Sequence, residues 1–363
     1  MPSVLNVTSQ YIRCAGVVIE QAAGQTIKIK NEDGKGIRIA FTVDRSFDPA
    51  NNTPQQAQIR LYNLSADTRH TVEGLKGIRA PVPASWSRAQ LLASDADRNY
   101  SGPDAIVQNP DPLPGIELPA DPVQSSTKFG YAYVRLFAGY NRKMGQIFEG
   151  TMLVPRSVKT DSTTWVTTLT AGDGALGATK AVANTSYPPG TEMIVVIRHL
   201  TRLLGVGPGN LDKLTWDRIL AAGRNASLRP FLVSSKLAWS YTPSGASAWD
   251  DLAELLEASN VKWMVDQGQF WLLEPSGFLP GPPVDMGKVI GAVQEIGGGK
   301  FASTHFLNQN AGPARKITLA SRDYKGEFIC TRTLYNGDTL AQGTAFTTTT
   351  EFMVNDPLNL GLF

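Results

Sequence analysis

The sequence predicts a mainly β protein with an α+β middle region, and three observations carry that prediction. Short runs alternating apolar and polar residues occupy the first 75 residues, the stretch from 129 to 171, and much of 285 to 363. Clusters of Asn, Asp and Gly separate these runs, as turns between strands require. Between 176 and 284 the apolar spacing changes to a helical 3.6-residue period.

Ile12 to Glu20 is rich in β-formers, and Thr26-Ile27-Lys28-Ile29-Lys30 alternates. Asn31-Glu32-Asp33-Gly34 reads as a turn, and Ile37 to Val43 alternates again, so this stretch predicts a hairpin with one buried face. Gln58 to Leu64 is a further strand, and Ser65 caps a short helix with Thr68 to Leu75 as its body. Residues 77–128 break the pattern with Pro81, Pro83, Pro103, Pro110, Pro112, Pro114, Pro119 and Pro122. Proline fixes φ and removes a backbone donor, so the segment is expected to be an irregular insertion in one antiparallel β domain. Strands resume at Phe129. Tyr131–Tyr140 and Gln146–Gly150 face each other across Asn141–Gly145, and Thr164–Leu169 follows.

In the middle, Pro189-Gly190-Thr191 opens a run with Met193, Val196, Ile197, Leu200, Leu203 and Leu204 on one helical face, ended by Gly205. Thr215–Ala222 reads as a second short helix. A third runs to Ala258 from an N-cap at Ser247, with Asp250 placed as in a capping box. Lys262–Val265 and Phe270–Leu273 form a hairpin about Asp266-Gln267-Gly268-Gln269. In the last part, Ile317–Leu319, Glu327–Thr333 and Thr344–Met353 read as strands, separated by turn signals such as Asn336-Gly337-Asp338.

The chain has 363 residues, a length that suits about two to three domains. Its net charge of +2 argues against a dedicated nucleic-acid binder, which carries a strong basic excess. The densest basic region, Arg198, Arg202, Arg218, Arg224 and Arg229, is interrupted by Asp212 and Asp217. A hydrophobic content of 42% and seven tryptophans argue against a disordered chain. No apolar run approaches the roughly 18 residues of a membrane helix, and the N-terminus lacks a basic segment leading into an apolar one. Cys14 and Cys330 stand far apart with no C-x-x-C, so both are expected to be reduced, buried thiols in a protein folded in a reducing cytosol.

Several motifs invite a chemical reading. Gly172-Asp173-Gly174-Ala175-Leu176-Gly177 has the spacing of a dinucleotide fingerprint, with Glu192 downstream. The preceding strand is half polar, whereas a first Rossmann strand is a continuous apolar run, so a strand-to-helix turn is expected instead. His70, His199 and His305 lack metal-ligand spacing. His70 is expected at an exposed or capping position and His199 on a helix face. Asp250, Asp251, Glu254 and Glu257 lie on one helix and are expected on its solvated side, where they cannot flank a glycosidic bond. Trp249, Trp263 and Trp271 could stack on a sugar but are expected to pack a helix on a hairpin. No catalytic, cofactor-binding or metal-binding residue is assigned, and no cofactor is expected.

The order of local strings resembles the baseplate hub family of tailed bacteriophages, the trimeric proteins joining tail tube to central spike. Ile39 to Arg45 followed by Ala57-Gln58-Ile59-Arg60-Leu61-Tyr62-Asn63-Leu64-Ser65-Ala66-Asp67-Thr68-Arg69 is similar to that family's opening strand and I-x-I-Y-N-L-S-x-x-T-R. Val134 to Tyr140 with Ile147-Phe148-Glu149-Gly150 resembles its V-x-L-x-A-G-Y … I-F-x-G hairpin. Trp165 to Gly174 resembles its W-x-T-x-x-x-A-G-D-G strand end. Ser244 to Leu255, with Val261 to Met264 and Gln267 to Gln269, resembles a helix-hairpin unit. Phe306-Leu307-Asn308, Pro313 to Ile317 and Asn336-Gly337-Asp338-Thr339 resemble the closing β segment. The likeness excludes 77–128, and Tyr335-Asn336 stands where the family commonly has His before G-D-T.

The resemblance implies two tail-tube-like antiparallel β-barrel domains with smaller α/β elements. Residues 1–175 would form the first barrel, interrupted by 77–128. Residues 176–284 would be the α/β middle, and 285–363 would contribute to the second barrel. It implies a virion structural protein made in the host bacterial cytoplasm, not an enzyme. Three copies would match a sixfold tail tube on one side and a threefold spike on the other. Its partners would be the tube or tube initiator, the central spike, other baseplate proteins and the end of the tape-measure protein, with genome DNA only passing through the channel. The alternatives are a phage-associated cell-wall glycan hydrolase or a glycan-binding adhesin using the three tryptophans.

Overall fold

The computed structural model describes residues 12–20, 26–32, 35–47, 54–74, 132–183, 185–211, 232–233, 236–244, 247–258, 261–273, 278–279, 281–322, 324–340 and 346–354. The Pro-rich 77–128 insertion and the expected helix at Thr215–Ala222 lie outside the described residues.

Along the first part run β1 (Arg13–Glu20), β2 (Thr26–Glu32), β3 (Lys35–Gly36), β4 (Ile39–Ser46), β5 (Gln56–Tyr62), helix α1 (Ala66–Gly74), β6 (Tyr133–Tyr140), β7 (Lys143–Lys159) and β8 (Trp165–Gly172). The middle holds α2 (Ala175–Lys180), α3 (Met193–Leu204), β9 (Leu232–Val233), β10 (Lys236–Leu237), α4 (Ala248–Ala258), β11 (Trp263–Asp266) and β12 (Gln269–Leu272). The last part holds β13 (Val284–Asp285), β14 (Gln294–Gly297), β15 (Lys300–Phe306), β16 (Lys316–Ala320), β17 (Lys325–Asp338) and β18 (Thr347–Val354).

Most strands belong to one sheet of order β14-β15-β18-β17-β4-β5-β8-β7-β6-β1-β2-β3, with β16 also on β17 and β13 on β16. Every pairing is antiparallel except β13 with β16. Inward-facing Val17, Ile19, Ile39, Ile59, Leu61, Val134, Leu136 and Leu169 are fully buried and form one core, so the sheet curls around it. No ladder closes this curl among the described residues. A second core gathers Met286, Ile317, Leu319, Phe328, Cys330 and Phe352. A third packs α3 and α4 against the β11–β12 hairpin.

Local chemistry explains many boundaries. Asn141 and Arg142 (φ 52° and 64°) join β6 to β7, and Gln267 and Gly268 (φ 53° and 71°) join β11 to β12. Left-handed conformations at both turn residues match the twist of a two-residue hairpin. α3 ends at Gly205, whose φ of 74° lets its N–H reach the Arg202 and Thr201 carbonyls. At α4 the Ser247 Oγ accepts the Asp250 N–H at 3.1 Å. It also donates to the Asp250 carboxylate at 2.6 Å, so the capping box is closed through the hydroxyl.

Two expectations are corrected. The run Ile37 to Val43 does not pair with 26–30: β2 is the hairpin partner of β1, while β4 lies between β5 and β17. Asn336-Gly337-Asp338 is not a turn, because β17 continues through it against Ala40–Thr42 of β4. The glycine there meets a steric demand: a Cβ on Gly337 would lie 2.2 Å from the Phe41 ring.

Candidate functional site: the β4–β17 seam and the ionic junction beneath it

β17 is long enough to serve two neighbours in turn. Its first half pairs with β16 (Lys325↔Ala320 to Ile329↔Lys316) and its second with β4 (Arg332↔Ser46 to Asp338↔Ala40). The register shifts between Cys330 and Arg332 on the β18 side, a bulge where the strand changes partner. Through this strand the C-terminal sheet and the N-terminal sheet become one.

Alternation then gives the joined sheet one continuous outer face. Read across the strands, one row is Thr170, Gln58, Thr42, Asn336, Thr347 and Phe306. The next is Gln56, Asp44, Leu334, Thr349 and Thr304. Short polar side chains bond across strands: Thr42 Oγ1 donates to Asn336 at 3.1 Å, and the Thr304 and Thr349 hydroxyls are 3.1 Å apart. The charges cancel locally. Arg332 grips Asp44 at 2.6 and 2.8 Å and Glu351 at 2.9 Å, and at the margin Arg38 grips Asp338 at 2.7 Å. The seam face is therefore polar and close to neutral, with a shallow hollow lined by Ala40, Thr42, Gln58, Arg60, Asn336 and Asp338.

On the inner side, the inward register of β4 runs Ile39, Phe41, Val43 and then Arg45. Arg45 is 1% exposed. Its guanidinium makes a two-point pair with Asp266 at 2.6 and 2.8 Å. It also donates to the carbonyls of Ile147 and Ala311 at 3.3 and 3.2 Å, and to the Tyr335 hydroxyl at 3.3 Å. Tyr335 in turn donates to the Ala311 carbonyl at 2.5 Å. This cluster joins β4, β7, β11, β17 and the 308–314 loop. Burial alone would lower the Arg45 pKa. The Asp266 charge, helped by Tyr335, outweighs it and holds Arg45 above the ordinary arginine value.

Beside the pair lies Asp173, also buried. Its Oδ2 accepts the Gly268 N–H at 3.0 Å. Its Oδ1 has no hydrogen-bond partner among the described residues. Burial pushes this carboxyl well above the usual range, and the nearby Asp266 and Glu149 push the same way against the Gly268 N–H and Arg45. Gln55 closes the edge of the cluster, accepting the Ser46 N–H at 2.6 Å and donating to Val265 O at 3.4 Å.

Other residues singled out in the sequence are placed as follows. Gly172–Gly177 is the strand-to-helix turn from β8 to α2. Trp249 and Trp263 are buried with ring centroids 5.0 Å apart, and Trp271 is half-buried with its indole N–H on the Asp266 carbonyl at 3.2 Å. Trp249 and Trp263 pack the helix-hairpin core as expected. Trp271 does not: it packs against a separate cluster of Phe47, Met264, Leu273, Leu279 and Ala314, so the three rings form no common stacking platform. Asp251 departs from expectation. Glu254 and Glu257 are exposed, but Asp251 is fully buried and accepts from the Ser244 N–H and hydroxyl at 2.7 and 2.8 Å. Cys14 and Cys330 are buried thiols, and burial raises Cys330 to about 11. His70 is exposed on α1 and His199 pairs with the Tyr187 hydroxyl. Among the described residues no group of three His, Cys, Asp or Glu could hold a metal, and no helix is long and apolar enough to cross a membrane.

No family model matches the sequence, and no curated protein matches it. Among solved structures the chain is similar to a 43 kDa tail protein of prophage MuSo2 from Shewanella oneidensis, at 8% identity, covering 94% of this chain and 98% of that one, with a TM-score of 0.49. It is similar to a tail protein from Neisseria meningitidis at 8% identity, covering 93% and 96%, with a TM-score of 0.45. It is also similar to an Escherichia coli component of the type VI secretion system, itself structurally similar to bacteriophage T4 tail proteins, at 10% identity, covering 88% and 74%, with a TM-score of 0.44.

Proposed function

We propose that the chain is a structural subunit of a bacteriophage-type tail: a trimeric baseplate or tail-tip hub that joins a sixfold tail tube to a threefold central spike. The observation that carries this reading is the β4–β17 ladder, which makes the N-terminal and C-terminal sheets of one chain neighbours in one surface. Three chains in a ring then present six sheet units, the number a six-subunit tube needs. The order of sequence strings shared with the hub family supports the same reading. In it, residues 1–175 and 285–363 supply the two tube-facing units and 176–284 the spacer.

The seam face suits the wall of a DNA channel. A wall of Thr, Gln and Asn, with Arg332 and Arg38 tied to carboxylates and Arg60 held, among the described residues, only by the Gln58 amide oxygen, gives a passing phosphate backbone few cations to hold, because such binding scales with the number of phosphates neutralised. The tape-measure end, tube and spike are the partners this placement requires, and the work is done by geometry without bond making. Light scattering of the purified chain tests the proposal. A mass about three times 39.2 kDa, with threefold particles on imaging, is expected. A monomer at all concentrations overturns it.

A further inference from the structure

Apart from the short β16–β13 branch off β17, the main path of the sheet has two ends among the described residues, and both are open along part of their length. At one end is β14. All four of its residues are exposed, with Ile296 at 47%. It leads into Gly297-Gly298-Gly299, with φ of 93°, 63° and 71° and open space around each. One edge of β14 pairs with β15; among the described residues no strand lies on the other. At the opposite end, β3 covers only Asn31 and Glu32 of β2, leaving Thr26–Ile29 without a neighbouring strand on that side among the described residues. Exposed strand edges carry backbone donors and acceptors that pair readily with another strand, and proteins normally blunt them with charge, proline or a cover. β14 carries one charge, Glu295, and no proline, while its Ile296 is bare.

We infer that copies of this chain join head to tail, the Gln294–Gly297 edge of one copy pairing with the Thr26–Ile29 edge of the next. The charges select this joint over the symmetric ones. The β2 end carries Lys28, Lys30 and Lys35, with Lys30 bridged to Glu32 at 3.3 Å, whereas β14 itself carries Glu295 as its one charge, the nearest lysine in sequence, Lys300, lying on β15 across from Gly297. Pairing β14 with β14 would set Glu295 near its own copy, and pairing β2 with β2 would oppose lysines. Like charges across strands destabilise, and opposite charges stabilise. The occupant of each edge is thus a second copy of this chain. The two edges are different surfaces on one molecule, so the contact is heterologous and closes into a ring or propagates. Closure at three copies rests on the hub reading above; the joint itself does not.

Engineered disulfides test the joint. Cys14 and Cys330 are fully buried, so added cysteines act against a quiet background. Two double variants, Lys28→Cys with Glu295→Cys and Lys30→Cys with Glu295→Cys, sample neighbouring registers. Mild oxidation of the full chain is expected to give covalent multimers from at least one of them and none from any single variant. Mixing Lys28→Cys chains with Glu295→Cys chains is expected to stop at covalent dimers. Self-cross-linking of Glu295→Cys alone overturns the head-to-tail assignment. An oligomer by light scattering that neither double variant cross-links overturns the joint and leaves the hub reading standing. A monomer that does not cross-link overturns both.

Discussion

Arg45 on β4 and Asp266 at the end of β11 are 221 residues apart in sequence and meet as a fully buried two-point ion pair. The first residue belongs to the curled sheet, the second to the helix-hairpin unit. Through Tyr335 and the Ala311 carbonyl the same guanidinium reaches the C-terminal strands. One side chain therefore ties three parts of the chain together where any relative slip would leave a charge buried and unpaired.

Removing one partner of this pair is expected to cost much more than removing both. Asp266→Leu should destabilise by about 3–5 kcal/mol, because it strands the Arg45 charge in a dry site. Arg45→Met should cost a similar amount. The double variant should recover part of the loss but not all, since the Ile147 and Ala311 carbonyls lose a donor in either case. Urea unfolding of the four proteins at neutral pH measures the coupling. Additive losses would show that the pair does not act as a unit.

Asp173 predicts a pH dependence of definite sign. Unfolded, the carboxyl ionises near pH ~3.9. Folded, it ionises well above that because it is buried beside Glu149 and Asp266. Between those two values the native state holds a proton that the unfolded chain has lost, so stability falls as pH rises through the window. Asp173→Asn keeps an oxygen for the Gly268 N–H and removes the titration. The variant is expected to be at least as stable as the parent at about pH 8, and its stability should change less between about pH 4 and 8. Thermal melts across that range decide the matter, and a variant with the parent's slope would assign the dependence to other groups.

The sequence reveals this fold wherever the signal is local. The two hairpins with left-handed turn residues, the amphipathic α3 with its glycine stop, and the Ser247 cap can all be read within a dozen residues. The partner of β4 cannot, because its ladder with β17 spans roughly 300 positions and alternation is equally satisfied by a neighbour close in sequence. The same limit hid the ionic junction. Arg45 did leave a trace, as a charge in the inward register after Ile39, Phe41 and Val43. Asp266 and Asp173 read as ordinary turn residues, and nothing near either one in sequence announces an arginine. Asp251 misled for the opposite reason: it lies among exposed acids on a helix, and only the approach of Ser244 makes it an inward group.

Gly337 tests how tightly the seam is packed. Its missing side chain leaves room for the Phe41 ring, which Phe346 backs at 5.7 Å in an edge-on contact. Gly337→Ala is expected to force that ring to move and to cost about 1–3 kcal/mol as overpacking. Adding Phe41→Leu should recover part of the loss by vacating the ring's outer atoms. Chemical denaturation of both variants checks this. A Gly337→Ala protein as stable as the parent would mean that Phe41 has space to retreat.

His305 should give the C-terminal strands a pH response opposite to that of Asp173. The ring is fully buried on β15, with Nε2 2.7 Å from the Ser303 hydroxyl. Burial lowers its pKa, while the Lys288 and Met286 carbonyls and Asp285 work weakly the other way. Unfolded, it takes up a proton near pH ~6.5. Below that value the unfolded chain is charged while the native ring is not, so stability is lost as pH falls toward the depressed folded pKa. His305→Gln keeps a polar partner for Ser303 and does not titrate. Amide exchange, corrected for its intrinsic pH dependence, is expected to show weaker protection of β15 and β18 at about pH 5.5 than at about pH 7.5 in the parent and little change in the variant. Equal loss of protection in both proteins would exclude His305 as its source.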